Sequence, residues 1–252
     1  MRPKRLLQFV IAATLVLVAR GAQLATNSLT EAEKRDGWQL LFNGNDFTGW
    51  HSYSGVIPPG SWTIAGGCIK SIKRNGRPGG ADLLTDQKFS DFEFSFEWKI
   101  AAGGNSGVKY FVIDRRNAPG AILHGGDDGR SAVGLEYQLL DDDRHPDAKN
   151  GPLRQAGALY SLLPPNAEKK LNPVGQFNQS RIVVHSNHVE HWLNGAKILQ
   201  FELGSPELTR AINASKYKPV PAFGTKFPTS ILLQDHGEET SFRNLKIRAV
   251  HM

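Results

Sequence analysis

DFEFSFEWKI, residues 91–100, alternates almost without error: Phe92, Phe94, Phe96, Trp98 and Ile100 fall on one face of an extended chain, and Glu93, Ser95, Glu97 and Lys99 on the other. Such a segment reads as a strand with one dry side. The pattern spreads outward. SRIVVHSN (180–187) and HVEHWLNGAKILQFEL (188–203) continue it, and Asn194-Gly195 between apolar flanks signals a tight hairpin turn. SFRNLKIRAV (241–250) reads as a closing strand and WQLLFNG (38–44) as an opening one. Long amphipathic helices do not emerge, so the expected fold is all-β, a sandwich of two antiparallel sheets.

The 252 residues, 40% apolar and 21% charged, suit a soluble domain with a sizeable core. Arg2, Lys4 and Arg5 precede an apolar run over 6–18, and Ala19-Arg20-Gly21 offers the small residues a signal peptidase reads. Residues 1–21 are therefore expected to be a secretory signal peptide, 22–36 an N-terminal linker and 37–252 the folded domain. The apolar run is shorter than the ~20 residues of a membrane-spanning helix. The expectation is an exported protein, periplasmic or secreted, without a membrane span in its mature form. Four of the six excess positive charges (Arg2, Lys4, Arg5 and Arg20) lie in this leader, so the remainder carries only +2 and gives no electrostatic case for a nucleic-acid partner. Cys68 is alone and makes no internal disulfide; within WTIAGGCIK it reads as a small buried apolar residue.

Two strands carry unexpected polarity. In GLEYQLLDDD (134–143) an extended chain places Glu136, Gln138 and Leu140 on one face; in ILLQDHGEE (231–239) it groups Leu232, Gln234 and His236, opposite Ile231, Leu233 and Asp235. A solitary Glu or His on a sheet's outer face is ordinarily solvated surface. Together, on one bent sheet, Glu136, Gln138, Gln234 and His236 would form a concave, carbohydrate-sized groove. The stretches 115–132 and 143–157, rich in Gly, Pro, Asp and Asn, read as long functional loops. Asp141, Asp142 and Asp143 with His145 cannot all face one ion on an extended strand; they read as a solvated strand-to-loop junction at which Asp141 borders the site, leaving a bound cation open. Alternation sends His185, His188 and His191 to different faces. No cofactor is expected.

The series GWQLLFNGNDFTGW (37–50), LLTDQKFSDFEFSFEWK (83–99), GGNSGVKYF (103–111), GLEYQLLDDDRHPDAKNG (134–151), AGALYSL (156–162), HWLNG (191–195) and LLQDHGEETSFRNLKIR (232–248) resembles the family first described as a domain of unknown function, DUF1080, and now called the 3-keto-disaccharide hydrolase domain. The likeness runs from about Gly37 to the C-terminus. One departure is GQFN (175–178), where Phe177 stands at a position the family usually fills with Trp. The resemblance implies a concanavalin A-like, jelly-roll sandwich with a concave sugar-binding sheet. It also implies 3-keto-glycoside 1,2-lyase and hydratase chemistry on sugars oxidised at C3 by a separate sugar 3-dehydrogenase.

That chemistry requires a base for the C2 hydrogen, donors for the enolate oxygen and an acid for the leaving oxygen. His236 suits the base, with an unperturbed pKa of ~6.5; Glu136 suits the acid, or the two exchange roles. Asn105, Ser106, Gln138, Gln234, Asp141 and Tyr160 are the candidate substrate-binding residues, although Asn105-Ser106-Gly107 also reads as turn chemistry. Two other classes remain open. A glycosidase resembling those of family 16 would pair acids such as Glu136 and Asp141, which share a strand face only across a bulge, and Gln138 stands where that motif has an acid. A non-catalytic sugar-binding module would use Trp50, Tyr53 and Tyr160 as its platform.

Overall fold

The computed structural model describes residues 26–75, 80–114 and 132–250; the expected signal peptide and almost all of the 115–132 loop lie outside them. Thirteen strands form among these residues: β1 Gln39–Leu40, β2 Trp50–His51, β3 Trp62–Ala65, β4 Cys68–Ser71, β5 Leu83–Thr85, β6 Phe92–Ile100, β7 Asn105–Asp114, β8 Ala132–Leu140, β9 Asn178–His185, β10 His188–Leu193, β11 Ala196–Glu202, β12 Leu232–Leu233 and β13 Thr240–Ala249. One sheet runs β11-β10-β9-β6-β13-β4-β3, with β1 added beside β13; the other runs β2-β5-β12-β7-β8. All pairings between named strands are antiparallel. The protein is a two-sheet antiparallel sandwich, in keeping with the alternation of β6, and of the concanavalin A-like class that the resemblance implies.

The dry face of β6 is the centre of the core. Phe92, Phe94, Phe96 and Trp98 are fully buried, each worth about 2–3 kcal/mol of burial. Phe94 stacks on Phe96 with ring centres 5.0 Å apart, and Phe96 meets Tyr137 of the facing sheet edge-on at 5.8 Å. The buried polar tips are answered in sequence: Trp98 Nε1 donates to Ser180 Oγ (2.8 Å), Ser180 Oγ to the Tyr137 hydroxyl (2.9 Å), and that hydroxyl to the Trp192 carbonyl (3.0 Å). Cys68 is buried and free, and desolvation raises its thiol pKa, so it packs as a small apolar group.

The hairpin expected at Asn194-Gly195 joins β10 to β11, both residues adopting positive φ (47° and 86°) as the turn requires. Among the described residues two α-helices complete the fold, α1 Glu31–Arg35 and α2 Pro206–Asn213. Helix α1 falls within the stretch read as a linker, yet it is tied to the sheet. Thr30 and Glu33 form a reciprocal capping box, Glu33 pairs with Lys246 of β13 at 2.7 Å, and Asn27 and Asn244 exchange backbone-to-side-chain hydrogen bonds. None of the helices among the described residues is long and apolar enough to cross a membrane.

Candidate active site on the outer face of the five-stranded sheet

Register decides which side chains meet. Lys109 of β7 stands opposite Glu136 of β8 on one side and Leu232 of β12 on the other, while Gly107 stands opposite Gln138 and accepts the Gln234 N–H at 2.9 Å. Val108, Tyr110, Leu135 and Tyr137 point into the sandwich core. Asn105, Gly107, Lys109, Glu136 and Gln138 therefore share the outer face, as alternation anticipates. This face is not solvated: Asn105, Lys109, Glu136 and Gln138 are all buried.

Glu136 is the centre of the arrangement. Its side chain leans over Gly107 so closely that a Cβ there would come within 2.5 Å of Oε1. Oε2 lies 3.8 Å from Lys109 Nζ, which also donates to the Ala132 carbonyl at 3.1 Å. The Gln138 carboxamide sits 3.1 Å from Glu136 Oε1, 3.1 Å from the Ser106 carbonyl and 3.2 Å from Asn105 Oδ1. The Glu136 carboxylate is thus held between a lysine and an amide above a bare backbone, on the outer face of the sheet.

His236 extends from the end of β12 toward the same region and is half-exposed. Glu238 Oε2 lies 3.3 Å from its Nδ1, and this carboxylate, outweighing the opposing effect of burial and aided by the charge of Glu136, raises the imidazole above its ordinary pKa. Asp235 plays no part in orienting it: its buried carboxylate takes Arg74 at 2.6 Å and the Ala81 N–H at 3.2 Å. The His145 ring, 6.4 Å away, meets His236 edge-on, and its Nδ1 accepts the Asp147 N–H.

The remaining sequence candidates divide. Asn105, Gln138 and Gln234 lie at the site. Ser106 does not: it faces the opposite way and donates its hydroxyl to the Gln234 carbonyl at 2.8 Å, locking β7 to β12. The Asn105-Ser106-Gly107 stretch is the start of a strand and not a turn. Asp141 is also structural. Burial alone would raise its pKa, but the Gly103 N–H (2.7 Å), Arg144 and the Asp143 N–H hold the carboxyl below its ordinary range. Tyr160 borders the site, its N–H on the Glu136 carbonyl, its hydroxyl between Asp147 and Arg154, and its ring under Arg154 and Lys216. Trp50 is buried, with its indole N–H on the Leu41 carbonyl, and is no platform.

Three site groups escaped the sequence reading. Lys109 is one and Glu238 another. The third is Asp82, just before β5, which is buried and pushed up to about 6 by desolvation, with the charge of Lys109 offsetting part of the rise. Its Oδ1 accepts the Asp235 N–H at 2.9 Å. Asp82 Oδ2 and Gln234 Oε1 are buried acceptors without a donor among the described residues.

A paired-acid glycosidase site is not built here from Glu136 and Asp141. β8 pairs with β7 in unbroken register from Leu135 to Leu140, so no bulge brings the two carboxylates to one face, and the irregularity in this pairing lies nearer Val133. Nor do the aspartates converge on an ion: Asp142 takes Lys169 at 2.6 Å and the Ala156 N–H, away from Asp141's partners. Among the described residues, no group of three His, Cys, Asp or Glu is arranged to hold a metal.

Comparison with known proteins agrees with the sandwich fold. The model of the 3-keto-alpha-glucoside-1,2-lyase-like domain matches residues 37–248. A 3-keto-disaccharide hydrolase of Bacteroides thetaiotaomicron is 34% identical over 240 residues, 85% of this chain and 79% of the relative. A protein of Parabacteroides distasonis, provisionally named a glycosyl hydrolase, superposes with a TM-score of 0.74 at 32% identity, covering 90% of this chain and all of its own. A second chain from that organism, at 23% identity and a TM-score of 0.60, shares the fold over 84% of this chain and 99% of its own. With the family model spanning nearly the whole described sandwich, the chain belongs to the 3-keto-alpha-glucoside-1,2-lyase-like domain family.

Proposed function

We propose that this carbohydrate-active enzyme cleaves 3-keto-glycosides, disaccharides or glucosides already oxidised at C3, by removing the C2 proton and expelling the C1 substituent. The observation that carries the reading is the buried Glu136 carboxylate, braced by Lys109 and Gln138 above Gly107 and facing away from the sheet. The ketone acidifies the C2 hydrogen. Glu136 takes that proton as the C2–H electron pair forms the enolate, whose oxygen is stabilised by the cationic Lys109. The electrons then return to re-form the ketone as C1=C2 forms and the C1–O bond breaks. His236, whose pKa Glu238 raises, delivers a proton to the departing oxygen. Addition of water across C1=C2 then gives the net outcome of hydrolysis. Asn105, Gln234 and Asp82 supply polar contacts for sugar hydroxyls.

This reading takes the second of the two arrangements left open by the sequence, with Glu136 as base and His236 as acid. A histidine whose pKa an adjacent carboxylate raises holds its proton to higher pH than a free imidazole, which favours the acid role. The substrate requires an upstream oxidation at C3 by a sugar dehydrogenase, and the N-terminal sequence is consistent with action outside the cytoplasm, in the periplasm or beyond.

The test is to incubate the protein with a 3-keto-disaccharide and its unoxidised parent in deuterated water, following C2 exchange and sugar release by NMR. Cleavage of the keto sugar alone, with deuterium entering C2 and turnover lost in Glu136→Gln, is the expected result. Cleavage of the parent sugar at a comparable rate would refute elimination.

A further inference from the structure

The eight-stranded sheet has a second site on its own outer face, and register explains how it forms. Trp192 of β10, Arg181 of β9, Ser95 of β6 and Lys246 of β13 stand in one cross-strand row. Three of the four are long. Ser95 is short, so the row dips at its centre, and the dip opens into a cleft of about 260 Å³. Its walls are the two tryptophans of the chain that are not buried, Trp192 on one side and Trp38, carried on the segment after α1, on the other.

The charged residues that line this cleft, Glu33, Glu93, Arg181 and Lys246, balance two against two. Glu93 takes Arg181 at 2.8 Å and Arg248 at 2.6 Å, and Glu33 takes Lys246 at 2.7 Å. The two arginines in turn lie over the indoles, Arg181 4.3 Å from the Trp192 ring centre and Arg248 5.0 Å from that of Trp38. Each of these cations has a carboxylate partner, although Arg181 and Arg248 share the single charge of Glu93. What remains available is the Ser95 hydroxyl and the Gln179 carboxamide, whose side chains have no hydrogen-bond partner among the described residues. Two aromatic walls, neutral hydrogen-bonding groups on the floor and balanced charge are the features that recognise a polyhydroxylated ring with an apolar C–H face. The volume lies just under the ~300 Å³ at which drug-sized pockets begin, which suits one ring and not a chain of them.

We propose that this cleft is a second carbohydrate site, binding a single uncharged pyranose unit on the face opposite Glu136. The inference does not rest on the reaction proposed above, because none of its residues belongs to that site. It gives the protein a means of holding unoxidised sugar while the other sheet acts on oxidised sugar.

The experiment uses the full chain carrying Glu136→Gln, titrated with the methyl glycosides of glucose, galactose and mannose while tryptophan fluorescence and ligand saturation-transfer NMR are recorded. Trp50, Trp62 and Trp98 are 5%, 5% and 0% exposed, so a fluorescence change reports the cleft. Saturable binding of at least one neutral glycoside is expected, weakened about tenfold or more by Ser95→Gln, which fills the dip, and by Trp192→Ala. Both substitutions in the otherwise native chain should leave turnover of a 3-keto-disaccharide unchanged. Binding undiminished by both substitutions would overturn the proposal. So would no saturable response to any of the three glycosides, or tighter binding of glucuronate or sulfate than of every neutral sugar.

Discussion

At the scale of single residues, the site depends on where one carboxylate is held. Gly107 is required because any side chain would strike Glu136 Oε1. Gly107→Ala should therefore leave a folded sandwich with turnover reduced about 10–100-fold, since a displacement near 1 Å is enough to lose that much. Circular dichroism and a steady-state assay separate this outcome from unfolding. Glu136→Gln, which keeps the shape and removes the base, should lower turnover by about 10²–10⁴ with little change in substrate binding. His236 makes a pH prediction. Its pKa lies above the ordinary histidine value, so the rate should fall as pH rises through the raised pKa and the proton is lost. In Glu238→Gln, which removes the main cause of the rise, this alkaline limb should move to lower pH; an unchanged limb would exclude His236 as the acid.

At the scale of elements, most strands were legible because period two is a local signal. β6, β13 and the β10–β11 hairpin lie where alternation and Asn194-Gly195 place them. Gly195→Ala tests the hairpin, since φ of 86° at that position strains any side chain; a loss of about 1–2 kcal/mol, read as a fall of several degrees in melting temperature, is expected. Helix α2 was overlooked, although Ser205 as its cap and Pro206 at its first position are a recognisable start signal. The site was half legible. Alternation along β8 and β12 grouped Glu136, Gln138, Gln234 and His236, but it could not show that Lys109 stands opposite Glu136, because pairing between strands separated in sequence is not written in either one. A lysine in a strand ordinarily reads as surface, and Asp82 in GGADLLTD reads as the end of a turn. Ser106 misled for the converse reason: it neighbours Asn105 in sequence and therefore points to the opposite face of the sheet.

At the scale of the whole molecule, two of the buried titratable groups of the sandwich, one on each side of the five-stranded sheet, have effects on stability that oppose each other. His191 lies in the core between Tyr110 and Tyr137, bonded to the Tyr110 hydroxyl at 2.9 Å and the Gly157 carbonyl at 3.2 Å, and desolvation lowers its pKa to about 4. Asp82, on the outer face, is raised to about 6. The signs follow from proton linkage. Below pH 6.5 the unfolded chain protonates His191 while the folded chain does not, so its contribution to stability falls as pH drops toward 4. Above pH 3.8 the unfolded chain ionises Asp82 while the folded chain retains the proton until about pH 6, so its contribution rises as pH drops through the same range. Each shift amounts to about 3 kcal/mol in full, or ~1.4 kcal/mol per pH unit, and between pH 4.5 and 6 the two nearly cancel. Removing either group should expose the other. Urea denaturation of Asp82→Asn between pH 4.5 and 6 should show stability declining with acidification by ~1.4 kcal/mol per unit relative to the native chain, and His191→Gln should show the reverse slope. The slope, and not the absolute stability, is the observable, because either substitution also alters local packing. Parallel profiles for all three proteins would mean that neither group is desolvated as the fold requires. If only Asp82→Asn departs, and also weakens binding of a 3-keto sugar, the buried acid would be a cost to stability that the site imposes on the sandwich.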